Sequence, residues 1–237
     1  MLYIPEPLSL PEVLWYSLLL NIAIYVLTLA AGRMIRYLYD KKMVVVPRKK
    51  MVISWLTIMI NTGITVIGYV IWQCGWIHIV PGTWQNTFTD FIVLFLGMDF
   101  LMYVFHLLIH RTFLYRAIHG LHHESRDPVP VDLFILHPLE TFGFGFLWIA
   151  LLMLYPAGLY AIIAYLAMNI IFGLAGHLGL EPLSEKVRQN ILFRYLGTSS
   201  FHHGHHLDIH CNFGFYTTLW DRLFGTWKET NNITNTD

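Results

Sequence analysis

Long apolar runs separated by short polar segments set the layout of this 237-residue chain. Three of them are long enough, or nearly so, for a helix to cross about 30 Å of hydrocarbon. They are LWYSLLLNIAIYVLTLAAG at 14–32, MVISWLTIMINTGITVIGYVIW at 51–72 and FTDFIVLFLGMDFLMYVFHLLI at 88–109. The third carries Asp90, Asp99 and His106, so it reads as more than a lipid-facing anchor. A fourth apolar region, 142–176, is broken at YPAG, 155–158, into FGFGFLWIALLML and LYAIIAYLAMNIIFGLAG. That break predicts a tight helical hairpin entering and leaving by one face. The pattern therefore predicts an all-α integral membrane protein with about three transmembrane helices plus a membrane hairpin. Residues 1–87 form an N-terminal membrane region with two transmembrane helices, and 88–237 form the part that carries chemistry.

Basic residues orient this layout. Arg33, Arg36, Lys41, Lys42, Arg48, Lys49 and Lys50 crowd the first loop, which the positive-inside rule places in the cytoplasm. Counting spans from that loop puts all 15 Lys and Arg on the cytoplasmic side, together with 12 of the 13 histidines. Only His78 is left outside. The soluble remainder is a histidine-rich cytoplasmic cap built from 111–141 and 177–237, and the membrane is the endoplasmic reticulum in a eukaryote or the inner membrane in a bacterium.

Composition agrees. Charged residues make up 13% of the chain, against roughly 25% in soluble domains. Two cysteines, Cys74 and Cys211, are too few for a disulfide framework or a cysteine-rich zinc site. A formal net charge of zero gives no footprint for nucleic acid. The opening MLYIPEPLSLPEVLW lacks a basic n-region and a small-residue cleavage site, so it reads as mature chain.

The histidines change the picture most. HLLIH puts His106 and His110 at i and i+4 on one helical face, and Tyr103 and Asp99 continue that face. Asp99 is then expected to accept a proton from a ligating imidazole or from Tyr103. HGLHH supplies His119, His122 and His123, and HHGHH supplies His202, His205 and His206 with the same i, i+3, i+4 spacing. Helical geometry predicts one chelating face per triplet, with His203 pointing elsewhere. HPLE adds His137 and Glu140, and GHLG adds His177. His210 lies near the last triplet but off its face and stays open; His78 and His203 are assigned no chemistry.

Eight clustered imidazoles, or nine with His177, exceed what one four-coordinate zinc needs and suit two metals. Imidazole accepts iron, zinc and copper alike. Carboxylate di-iron bundles use Glu-x-x-His pairs, which this chain lacks. Iron is the metal whose oxygen chemistry gives a reason to place such a site against lipid, where unactivated C–H bonds are what a substrate offers. Three functions follow: a lipid hydroxylase or monooxygenase, a desaturase on the same site, or a non-catalytic metal-binding or scaffold protein. Label from isotopic oxygen retained in the product separates the first two, and oxygen consumption excludes the third.

HLLIHR, IHGLHH, LHPLE, GHLG, FHHGHH and the following CNFGFYTTLWDRLFGTW resemble the fatty acid hydroxylase superfamily, or sterol desaturase family, from about 92 to 228. The resemblance implies a non-haem di-iron centre with O2 as co-substrate, oxidising a sterol, fatty-acyl or related lipid. It implies His106, His110, His119, His122, His123, His177, His202, His205 and His206 as ligands, with His137 either a ligand or a partner of Glu140. Asn212, Trp220 and Asp221 are implied to hold the cap together. Electrons are expected from a separate donor such as cytochrome b5 or a ferredoxin with its reductase.

Overall fold

The computed structural model describes residues 7–42, 44–191 and 193–230. The reading of the N-terminus at residues 1–6 lies outside them. Five long helices dominate: α1 (Leu10–Leu38), α2 (Arg48–Gln73), α3 (Trp84–Arg111), α4 (Pro138–Leu154) and α5 (Leu159–Gly176). Three short ones, α6 (Glu185–Arg188), α7 (Ser199–Leu207) and α8 (Leu219–Phe224), belong to the cap. α1, α2, α3 and α5 are long and apolar enough to cross a membrane, while α4 is shorter. α1, α3 and α4 extend past their apolar runs, with capping groups in the polar flanks. The Glu12 carboxylate accepts from Ser9 N and Oγ ahead of α1, Thr83 Oγ1 accepts from Asn86 N at α3, and Pro138 opens α4.

α1 packs on α2, α2 on α4, and α3 on both α4 and α5. In lipid, helices gain little from excluding water, so association depends on close packing. Gly143 and Gly145 of α4 supply it: a Cβ on either would overlap the Phe105 ring or Ile64. The buried core joins Leu94, Met98 and Met102 of α3 to Ala161 and Tyr165 of α5 and Tyr216 of the cap.

The two ends of the bundle differ. At one, the α2–α3 connection and the α4–α5 turn form a two-residue parallel ladder, Ile79–Val80 (β1) with Ala157–Gly158 (β2), a small exception to the all-α expectation. Asp90 secures that turn by accepting from Tyr155 Oη and Gly158 N, both at 2.8 Å. The turn of the hairpin thus reaches the level of the α2–α3 connection. At the other end, Arg36 of α1 donates to Leu178 O at 2.6 Å, and Lys50 of α2 reaches Asp132 Oδ1 at 2.6 Å. The basic first loop therefore lies at the end of the bundle that carries the histidines.

Candidate metal centre

Nine imidazoles meet at that end. α3 delivers His106 and His110 from its last turns. The chain then folds into a π-helical turn, Tyr115–His119, and a 3-10 turn, His122–Glu124, which present His119, His122 and His123. His177 terminates α5, and α7, capped by Thr198 Oγ1 accepting from Phe201 N, brings His202, His205 and His206. All but the half-buried His110 are buried.

The nine form two groups: His106, His110, His119, His123 and His205 in one, and His122, His177, His202 and His206 in the other. Within each, one nitrogen from every ring lies within 4.8 Å of the others. The groups abut, with the His123 and His206 rings 4.6 Å apart between centroids. The expectation that each triplet makes one chelating face is corrected here, because both triplets are split. His119 and His123 face the first group and His122 the second; His202 and His206 face the second and His205 the first. On α7, at about 100° per residue, i and i+4 diverge by about 40° while i+3 and i+4 diverge by about 100°. The i, i+4 pair therefore stays together and the i+3 ring turns to the neighbouring group.

The far nitrogens reveal the protonation state. His106 Nδ1 lies 2.8 Å from Phe213 O, His205 Nδ1 2.7 Å from Cys211 O and His206 Nδ1 2.9 Å from Ser125 O. His177 Nδ1 lies 2.8 Å from Gly173 O and His122 Nδ1 3.2 Å from Ile135 O. His119 Nδ1 lies 2.6 Å from Glu140 Oε1. A carbonyl has no proton to give, so those Nδ1 atoms donate. Burial keeps the cap imidazoles neutral: it pushes His119 and His205 down to about 3 and moves His122, His123, His202 and His206 in the same direction.

A neutral imidazole protonated at Nδ1 has a bare lone pair at Nε2. His106 and His119 Nε2 nonetheless lie 3.0 Å apart, and His122 and His177 Nε2 3.3 Å apart. Lone pairs converging in a water-poor interior repel unless a cation lies between them. The donor set therefore fits two metal ions of the kind imidazole binds.

His137 lies outside both groups. It caps α4, its Nδ1 accepting from Leu139 N at 3.2 Å, which spends the lone pair a metal would need. His210 is exposed, and the buried His203 turns its Nε2 to Asp127 at 3.1 Å. Glu140 bonds to His119 and not to His137 through its side chain. The expected role of Asp99 is also corrected. It lies two turns, about 10 Å, below His106 and instead accepts from Tyr216 N, Thr217 N, Thr217 Oγ1 and Trp220 Nε1. Tyr103 pairs with Thr226 Oγ1 at 3.0 Å.

Asp221 accepts from Phe213 N, Gly214 N and Thr226 Oγ1, and so fixes the carbonyl that orients His106. Asn212, at a left-handed φ of 59°, exchanges bonds with Lys228 through its side chain. Sequence reasoning missed Ser125, Asp132, Cys211 O and Phe213 O. Carbonyl acceptors leave no residue-type signal, and Ser125 and Asp132 lie outside the histidine motifs. Phe215 forms the apolar side of the site, its ring 5.1 Å from His106, 5.9 Å from His202 and 5.6 Å from Phe144 of α4.

Comparison with known proteins agrees with this geometry. The family model described as fatty acid hydroxylase matches residues 91–226. The chain is 27% identical over 152 residues to a Delta(7)-sterol 5(6)-desaturase of Leptosphaeria maculans, covering 64% of this chain and 40% of that protein. It is 29% identical over 159 residues to a lathosterol oxidase of Rattus norvegicus, covering 65% and 48%. To methylsterol monooxygenase 1 of Rattus norvegicus it is 33% identical over 128 residues, covering 52% and 41%. The chain thus spans half or less of the length of these relatives, and no solved structure matches it. Because the family match covers more than half of the chain and all nine converging histidines fall inside it, the chain belongs to the fatty acid hydroxylase family.

Proposed function

We propose that this protein is a multi-pass membrane enzyme, a non-haem di-iron oxidoreductase that uses O2 to hydroxylate a C–H bond of a sterol, fatty-acyl or related lipid. The observation that carries this reading is the pairing of two groups of neutral imidazoles, their Nε2 atoms converging, with an apolar wall, Phe215, that is continuous with the membrane helices. His106, His110, His119, His123 and His205 would hold one iron, and His122, His177, His202 and His206 the other. Iron, when bound, supplies the oxygen and electron chemistry that no side chain here can provide.

The remaining work falls to the chain. Nδ1–H bonds to fixed acceptors lock six of the nine rings with Nε2 inward and hold those protons away from the metal side. Phe215 and Phe144 exclude water and give an alkyl chain or ring system an apolar surface to lie on. The overall reaction takes O2, two electrons, two protons and the lipid, and yields the alcohol and one water. The substrate enters from the bilayer, and the histidine cap faces the cytoplasm with the basic first loop. Residues 88–237 form the catalytic region, preceded by the membrane region 1–87. Electrons come from a separate carrier, cytochrome b5 or a ferredoxin with its reductase.

The desaturase reading is the second, and similarity to a protein named as a sterol desaturase favours it. There the same inputs yield an alkene and two waters. Purified protein is to be incubated with a lipid extract, a reductant and 18O2, with products read by mass spectrometry. Label in an organic alcohol supports hydroxylation; an unlabelled alkene with all label in water supports desaturation. No oxygen consumption by iron-loaded protein would refute both.

A further inference from the structure

We infer that Arg36 and Lys50, from helices outside the family-matched region, are positioning residues for one metal of the pair, the one facing His122, His177, His202 and His206. This rests on the two-metal reading above. Both residues belong to the basic first loop region and satisfy the positive-inside rule, yet a charge that only sets topology has no need to be buried. Arg33, one turn away, is exposed; the Arg36 side chain is buried and donates to Leu178 O at 2.6 Å and Lys42 O at 3.2 Å. Leu178 directly follows the ligand His177, so this bond pins the end of α5 where His177 leaves it.

Lys50 acts on the same group by a second route. Its Nζ contacts Ser125 Oγ and donates to Asp132 Oδ1 at 2.6 Å, Asp132 being sealed from water at 1% exposure. The Ser125 carbonyl accepts from His206 Nδ1 at 2.9 Å. Asp132 caps the turn Pro130–Phe134, accepting from Val129 N at 2.9 Å, and its carbonyl takes Ile135 N at 3.1 Å. The Ile135 carbonyl in turn accepts from His122 Nδ1. Three of the four rings in this group are thus held by acceptors or backbone that α1 and α2 fix.

The five-histidine group is held differently. Its orienting oxygens belong to Phe213, Cys211 and Glu140, which are fixed by the cap and α4. The two sites consequently have separable supports, one reaching from the N-terminal helices and one built wholly from the later chain. Outer partners of ligating histidines commonly change metal affinity by about 10–100-fold.

The test uses the full chain in detergent, loaded with ferrous iron and challenged with a chelator while iron per chain is counted. Lys50→Met/Asp132→Asn removes the arm without leaving a buried carboxylate unpaired, and Arg36→Gln probes the second route independently should the first fail to fold. Each is expected to retain one iron at the wild-type release rate and to lose the other about 10–100-fold faster. Lys50→Arg is expected to restore slow release, and the exposed Arg33→Gln to leave both irons. Combined with His122→Ala the arm variants lose no further iron, whereas combined with His110→Ala, which leaves four histidines in the other group, they release both irons faster than wild type. Wild-type release of both irons from the arm variants, or accelerated loss of both together, overturns the inference. A wild-type chain that never holds two irons overturns the two-metal reading itself.

Discussion

His119 Nδ1 lies 2.6 Å from Oε1 of Glu140, and both side chains are sealed from water. The other carboxylate oxygen of Glu140 has no hydrogen-bond partner. A carboxylate so placed makes the far nitrogen of His119 a stronger donor to a cation. Glu140→Gln keeps an acceptor of similar shape but removes the charge, so iron affinity is expected to fall about tenfold, whereas Glu140→Ala should fall toward a hundredfold. Titration with ferrous iron against a competing chelator measures both, and equal affinity in all three proteins would remove Glu140 from the site.

The split of the triplets predicts unequal losses. His122→Ala leaves three histidines in its group and should release one of two irons, while His205→Ala leaves four and should hold its iron more weakly without emptying the site. Both should lose activity. His78→Ala and the exposed His210→Ala should keep iron and activity. Elemental analysis beside turnover checks the series.

Acid acts through the neutral imidazoles. His119 and His205 have folded values of about 3, lowered by burial from the ordinary 6.5. Between those values the unfolded chain binds protons that the folded chain refuses, so stability rises with pH. Their contribution is intact above about 6.5 and is lost as pH falls toward 3. Thermal unfolding of iron-free protein should therefore be flat near neutrality and fall steadily below pH 6.5. A melting temperature unchanged down to pH 4 would contradict this.

Asp221 supports the cap more than the chemistry. Asp221→Ala strands two buried amide protons, Phe213 N and Gly214 N, at about 1–3 kcal/mol each. For a chain of this size that lowers the melting temperature by roughly 4–24 °C. It should also loosen His106 through the Phe213 carbonyl, so iron release should quicken from the five-histidine group first.

How much of this was legible beforehand differs between fold and site. The apolar runs located α1, α2, α3 and the hairpin, because hydrocarbon thickness sets their length. The histidine spacings identified the converging rings, since side chains that bind metal are residue types that sequence displays. The division into two groups was not legible, because spacing alone does not say whether one group or two lies across an i, i+3, i+4 triplet, and between Tyr115 and Glu124 a π turn and a 3-10 turn replace regular helix. Asp99 was placed on the correct face but given the wrong partner, since helical periodicity fixes direction and says nothing of what the later chain brings there. Arg36 and Lys50 read as topology charges because their partners, Leu178 O and Asp132, lie far away in sequence.

The nine histidines are proposed to hold two metal ions side by side. Crystals of iron-loaded protein, with anomalous scattering collected across the iron edge, test it most directly. Two peaks are expected, one among His106, His110, His119, His123 and His205 and one among His122, His177, His202 and His206. A single peak shared by both groups, or peaks away from these rings, would contradict it.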